Sequence, residues 1–304
     1  MVPGTGIAPR GPVIVLDGGL ATELEARGYD LSDELWSARL LADDPEEIIS
    51  THETFFRAGA EVATTASYQA SFEGFAARGI GPRAAATLLR RSVDLAKAAR
   101  ERVGGRRWVA ASAGPYGAML ADGSEYRGRY GLSVAELVEF HRPRLEALAA
   151  AGPDLLALET VPDVDEAVAL LAAIEGLGVP AWLSYTISGN RTRAGQPLDE
   201  AFSVAAEHEQ LVAVGVNCCD PDDVEPAITL ARRTTRKSVI VYPNSGEGWD
   251  ADRHSWTGSS RLTPRLVERW IRAGADLIGG CCRVGPADIA MIRATAAGYA
   301  ASRR

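Results

Sequence analysis

Eight short apolar runs, spread along the whole chain and separated by amphipathic segments, leave this sequence very few folds. Residues 13–17, 61–65, 108–112, 154–159, 181–185, 211–217, 238–242 and 276–280 are each too continuously apolar to keep a face in water, so they read as strands of a buried parallel sheet. Helical patterns fill the intervals at 45–58, 81–102, 133–151, 164–175, 222–233, 263–273 and 286–297, several opened by Pro, Ser, Thr or Asp. The tetrapeptides beginning at Ala58, Ala151 and Ala273 all carry a glycine second and an acidic residue fourth. Each marks one junction, where the glycine ends a helix and the next strand begins. A doubly wound sheet also accommodates such alternation, but eight uninterrupted βα units in 304 residues match a (β/α)8 TIM barrel. The expected organisation is a flexible tail over residues 1–12 and a single barrel domain over 13–304. In such a barrel the active site lies at the carboxyl ends of the strands.

Composition narrows the partners. A net charge of −8 and a sequence pI near 5.2, with Lys and Arg scattered, do not suit a nucleic-acid groove. The first twelve residues lack a signal-peptide core, and no stretch approaches the roughly 18 apolar residues of a membrane span. A cytoplasmic enzyme acting on small molecules is expected, with neither nucleic acid nor membrane as partner.

Polar residues end the proposed strands, as a barrel site requires: Asp17-Gly18-Gly19, Thr64 to Tyr68, Glu159-Thr160, Asn217-Cys218, Asn244 and Cys281-Cys282. The chain has four cysteines, Cys218, Cys219, Cys281 and Cys282, too few for a disulfide framework in a chain this long. Adjacent residues in a strand face opposite ways, so Cys281 and Cys282 can meet one ion only where the strand unwinds into its loop. Arg283 and Gly285-Pro286 place them there. Cys218, directly after the strand-ending Asn217, is the expected third thiolate, with Cys219 as a neighbour. Three sulfurs leave one position of a tetrahedral zinc open, the arrangement of a catalytic rather than a structural site. A thiol occupying that position would ionise near neutral pH and stay nucleophilic, suited to attack on a methyl group carried by a cationic sulfonium or ammonium.

Gly215-Val216-Asn217-Cys218 and Gly279-Gly280-Cys281-Cys282-Arg283 resemble the metal motifs of the zinc-dependent homocysteine S-methyltransferases, and Asp17-Gly18-Gly19 and Leu158-Glu159-Thr160 resemble that family's amino-acid-binding motifs. The likeness runs from Val13 to Ala297. Four further stretches, beginning at Gly114, Ala121, His141 and Tyr242, are similar to the branch that uses S-methylmethionine, and often S-adenosylmethionine, as methyl donor. The resemblance implies a barrel with Zn2+ on Cys218, Cys281 and Cys282. It also implies homocysteine held by Asp17, the backbone near Gly18, and Glu159, and Thr160 and Asn217 complete the expected substrate-binding set. The chemistry agrees, because a buried ammonium needs a carboxylate within hydrogen-bonding reach.

Two connections exceed ordinary βα loops, residues 114–131 and 243–261, and both carry aromatic and acidic residues, among them Trp249 and Trp256. Tyr116, Glu125, Tyr126, Asn244 and Glu247 are the candidates for the donor pocket, where a sulfonium would meet aromatic faces and carboxylates. The expected reaction is direct transfer within a ternary complex, from S-methylmethionine to zinc-bound homocysteine thiolate, giving methionine. Betaine is the alternative donor, and a structural zinc or thiol-redox barrel is the non-catalytic alternative.

Overall fold

The computed structural model describes residues 12–31, 36–250 and 255–302. Nearly all of the expected tail, and the side chains of Trp249 and Trp256, lie outside the described residues.

Eight parallel strands form one sheet: β1 (Ile14–Val15), β2 (Val62–Thr64), β3 (Trp108–Ala113), β4 (Leu155–Val161), β5 (Ala181–Tyr185), β6 (Leu211–Asn217), β7 (Ser238–Tyr242) and β8 (Leu277–Ile278). They follow one another in chain order, with β8 returning to β1. Closure comes at β1 and β2, where Leu16 bridges Val62 and the Asp17 N–H donates to the Val62 carbonyl at 3.0 Å. The sheet is therefore a closed barrel, and all eight anticipated strands are present. β1 and β8 are shorter than expected because the glycine pairs Gly18-Gly19 and Gly279-Gly280 follow them and the chain turns out of the ladder there.

Outer helices follow as α1 (Pro45–Ala58), α2 (Pro82–Val103), α3 (Val134–Ala150), α4 (Val164–Ile174), α5 (Leu198–Ala206), α6 (Val224–Thr234), α7 (Pro264–Ala273) and α8 (Pro286–Ala301). Seven match the sequence expectation to within a few residues, and their ends have the expected chemistry. Ser133 caps α3 in a reciprocal box with Glu136, and Gly59 and Gly274, both at φ 113°, close α1 and α7. α5 was not anticipated. Nor were the short loop helices Leu20–Ala26, Phe72–Ala76 and Tyr116–Leu120, or the hairpins Ile187–Ser188 with Arg191–Thr192 and Gly248–Asp250 with Ser255–Thr257. Among the described residues, no helix is long and apolar enough to cross a membrane.

Two apolar clusters follow the period-2 alternation of the strands. Val109, Ala111, Leu156, Leu158, Val214, Val216, Val239 and Val241 pack outward with the helices. Trp108, Ala110, Leu155, Ala157, Trp182, Ala213, Ile240 and Tyr242 form a second cluster made only of strand residues, the filled barrel interior. Gly215 shows how tight the wall is, since a Cβ there would lie 1.7 Å from the Ile240 carbonyl oxygen. Gly215→Ala should therefore destabilise the protein by about 3 kcal/mol or more, the upper end of overpacking penalties. Urea unfolding with an unchanged midpoint would contradict this.

Candidate active site

The three thiols meet where β6 and β8 give way to loops. Cys218 has φ 50°, a left-handed conformation uncommon for a residue with a side chain. Its N–H donates to the Tyr242 carbonyl at 3.2 Å and its own carbonyl accepts from Thr186 Oγ1 at 3.1 Å, so the neighbouring strands hold the turn on both sides. After β8, Gly280 lets the chain pass close to Val284, whose side chain would lie 2.1 Å from an added Cβ. Cys281 N–H then donates to the Pro243 carbonyl at 2.8 Å and Cys282 N–H to Asn244 Oδ1 at 3.1 Å. Arg283, at φ 65°, donates its N–H to Thr22 Oγ1 at 2.9 Å.

These turns bring the sulfurs of Cys218, Cys281 and Cys282 within 4.8 Å of one another, with Cys218 and Cys282 3.7 Å apart. Thiolates about 2.3 Å from a tetrahedral zinc stand roughly 3.8 Å from each other, which the Cys218–Cys282 pair matches, with the Cys281 sulfur within 4.8 Å of both. The protonation pattern points the same way. Hydrogen bonds from Cys218 and Cys281 hold the Cys282 thiol well below its ordinary range, while the bond with Cys218 pushes the Cys281 thiol up. A divalent cation held by the three sulfurs would take the place of their protons. Cys219 is buried in the outer apolar shell and takes no part in the cluster.

A cavity of about 250 Å3 opens beside the sulfurs. Asp17, Gly18, Glu159, Thr160, Asn217, Tyr126 and all three cysteines line it. Asp17 is fixed by Thr64, whose N–H donates to Oδ2 at 2.7 Å and whose hydroxyl donates to Oδ1 at 2.9 Å. Glu159 is hydrogen-bonded by the hydroxyls of Ser112 and Tyr242. Both carboxyls are pushed up to about 7, chiefly by burial and only partly offset by these bonds. Glu159 also raises Asp17 through its charge. Two buried acids thus share the cavity wall, and no Lys or Arg among the described residues lines it.

Asn217 acts structurally at the rim. Its Oδ1 accepts from Thr160 N–H at 2.7 Å and Ser184 Oγ at 2.8 Å, and its Nδ2 donates to Thr160 Oγ1 at 2.8 Å. Thr160 is held at φ 59° as a result, another left-handed residue at the mouth. Tyr126 places its hydroxyl 3.1 Å from Cys218 Sγ.

Tyr116, Glu125, Asn244 and Glu247 do not line the cavity. The Tyr116 ring packs against Tyr130 and Phe140, at 5.3 and 4.8 Å between centroids, and its N–H donates to Glu166 Oε1, which also meets His141 Nε2 at 2.9 Å. Asn244 is spent on the Cys282 backbone. Glu247 accepts from Ser245 Oγ at 2.9 Å and pairs with Arg283 at 3.2 Å, bracing the loop that carries the thiols. Sequence reasoning gave no role to Ser112, Tyr242 or Gln69, all in the lining. The first two end strands with side chains on the interior face, a parity that was available to find them.

Fold and site together define a TIM-barrel enzyme with a cysteine-built centre at the carboxyl ends of its strands. The profile of the homocysteine S-methyltransferase family matches residues 14–296, and the chain belongs to that family. It is 44% identical to homocysteine S-methyltransferase YbgG of Bacillus subtilis, covering 94% of this chain and 95% of that protein. It is 45% identical to the homocysteine S-methyltransferase of Escherichia coli, covering 93% and 94%. Against homocysteine S-methyltransferase 4 of Zea mays the identity is 45%, covering 94% and 90%. The crystal structure of the E. coli homocysteine methyltransferase MmuM in its metallated form superposes with a TM-score of 0.85 at 43% identity, covering 94% of this chain and 96% of that one.

Proposed function

We propose that this protein transfers a methyl group from S-methylmethionine to the thiol of homocysteine, forming methionine, with zinc held by Cys218, Cys281 and Cys282. One observation carries the reading: three convergent sulfurs open onto the same cavity as two buried carboxyls. That pairing matches a ligand with a thiol at one end and an ammonium at the other. Bound zinc would supply the positive charge that ionises an incoming thiol near neutral pH.

The protein's own groups do the positioning. Asp17 and Glu159 receive the ammonium, and the backbone at Gly18 lines the same cavity, where a side chain would collide with the Val284 carbonyl. Thr160 and Asn217 set the wall between Glu159 and Cys218. Asn244, Ser245 and the Glu247–Arg283 pair fix the thiol loop, while Tyr126 and, behind it, Glu125 face the donor side. In the transfer, the homocysteine sulfur forms a bond to the methyl carbon. The bond from that carbon to the sulfonium sulfur breaks, its electron pair stays on the leaving sulfur, and a second methionine departs neutral at sulfur. The thiol proton goes to solvent. Orientation of the three reacting atoms in line is the main contribution such a cavity makes.

Residues 13–304 act as a single domain in this reading, since all eight units share one sheet. Closely packed free thiols suit a reducing, cytoplasmic compartment. The test is a donor panel of S-methylmethionine, S-adenosylmethionine and betaine, each with homocysteine, with and without a zinc chelator. Methionine should form fastest with S-methylmethionine, stop on chelation and return with added zinc. Turnover that survives full metal removal, or a preference for betaine, would refute the reading.

A further inference from the structure

The connection after β3, residues 114–131, carries Tyr126 to the sulfurs, and two acids from one turn of α4 grip it at both ends. Asp163, the residue that caps α4, is buried, and its Oδ2 accepts from the Arg129 N–H and from Arg129 Nε, each at 3.3 Å. The docking is close. A Cβ on Gly128 would lie 3.1 Å from that of Asp163, and Arg129 holds φ 58°, a left-handed conformation that persists only where the surroundings fix it. Asp163 Oδ1 accepts from the Asp165 N–H at 3.1 Å and from Gln196 Nε2 at 2.6 Å, so the carboxylate cannot turn. Three residues on, fully buried Glu166 takes the Tyr116 N–H at the other end of the loop. Arg144 can only donate, so its 2.8 Å contact makes His141 Nδ1 an acceptor and leaves Nε2 to donate to Glu166 Oε1 at 2.9 Å. Arg144 also donates to the Gly114 carbonyl, which ties down the start of the loop.

Between these two grips, Tyr126 is the loop residue that lines the cavity, and its hydroxyl stands 3.1 Å from Cys218 Sγ. A sulfur bound to a metal still accepts a hydrogen bond, and a donor of this kind orients the ligand and tunes its basicity. One βα unit therefore works on both sides of the site. Glu159 and Thr160 end β4 at the cavity, while Asp163 and Glu166 open α4 behind the loop and do not line the cavity. We propose that Asp163 and Glu166 are positioning residues that hold the 114–131 loop so that the Tyr126 hydroxyl donates to the metal-bound sulfur of Cys218, and that part of the zinc affinity depends on them. This rests on the zinc assignment in the reading above and adds the groups that orient the outer partner of one ligand.

The test is a double-mutant cycle read as zinc affinity, by chelator competition on the purified, reduced protein with no methyl donor present. Tyr126→Phe keeps the ring and removes the hydroxyl, and should weaken zinc binding by roughly 10- to 100-fold, the range for losing an outer partner of a metal ligand. Asp163→Ala frees the far end of the loop. It should weaken zinc binding by about 10-fold in the wild-type background and by less than about twofold in the Tyr126→Phe background, because it acts through that hydroxyl. Asp163→Asn, which keeps one acceptor, should fall between wild type and Asp163→Ala. If Asp163→Ala does not fold, Arg129→Ala makes the same comparison from the exposed side of the contact. Equal losses in both backgrounds overturn the proposal, since a general loosening of the barrel takes no account of Tyr126. A Tyr126→Phe protein that binds zinc as tightly as wild type overturns it as well. A wild type that takes up no zinc overturns the metal reading together with this one, and shows itself before any variant is made.

Discussion

Replacing Cys281 or Cys282 by alanine should strip the protein of zinc and lower methionine formation by well over about 100-fold, more than the loss of an outer partner of a metal ligand produces. Cys218→Ala should do the same. Cys219→Ala, only one position away, should leave both zinc content and turnover close to wild type. The contrast follows from direction rather than from distance along the chain. The left-handed turn at Cys218 aims its sulfur at Cys282, 3.7 Å away, whereas Cys219 is packed in the shell beneath the helices. Metal analysis alongside a methionine assay decides the matter. Zinc lost from the Cys219 variant, or kept by the Cys282 variant, would reassign the ligands.

Glu159→Gln should weaken binding of the amino-acid end by about 100- to 1000-fold, the range expected when one partner of a buried charge pair is removed. Methionine is the ligand to use in calorimetry, because its thioether does not titrate and zinc chemistry stays out of the measurement. The same ligand exposes the pH dependence. Burial raises the carboxyls of Asp17 and Glu159 to about 7, so below that value both are largely neutral and the ammonium has no counter-charge. Methionine affinity should therefore rise as pH climbs through about 7 and level off until the ligand's own amine begins to lose its proton. Stability of the free protein takes the opposite sign. A carboxyl whose folded value is raised contributes stability at low pH, and that contribution is lost as pH rises through about 7. Flat methionine affinity from pH 6 to 8 would show that these two acids are not the receptor.

The barrel was legible because its strands are buried on both faces and its helices are not. Continuous apolar runs at 108–112 or 238–242 against the mixed face of α2 give two distinct periodicities, and the junction glycines mark where one yields to the other. α5 escaped notice because it is short and follows a polar hairpin whose Gly189 and Gly195 interrupt any helical period. Half of the site was equally legible: residues that end strands, such as Asp17, Glu159 and Cys218, must converge in a closed barrel whatever their spacing. What remained hidden was pairing between side chains on different strands. Ser112 meets Glu159 across 47 positions and Asn217 meets Thr160 across 57, and no local pattern encodes either bond. For the same reason Asn244 and Glu247 read as ligand contacts, although their partners are the Cys282 backbone and Arg283.

The first and last strands lie side by side in the barrel, and the thiol loop lies on that seam: Gly280 N–H donates to the Asp17 carbonyl at 3.1 Å and Gly19 N–H to the Val284 carbonyl at 2.9 Å. Two of the three sulfurs consequently arrive only when the final βα unit docks against the first. A chain still emerging from the ribosome can offer Cys218 alone, which is no trap for a scarce ion. In the proposed zinc-bound enzyme, metal capture would therefore mark finished synthesis, since the ring and the thiol set are completed together.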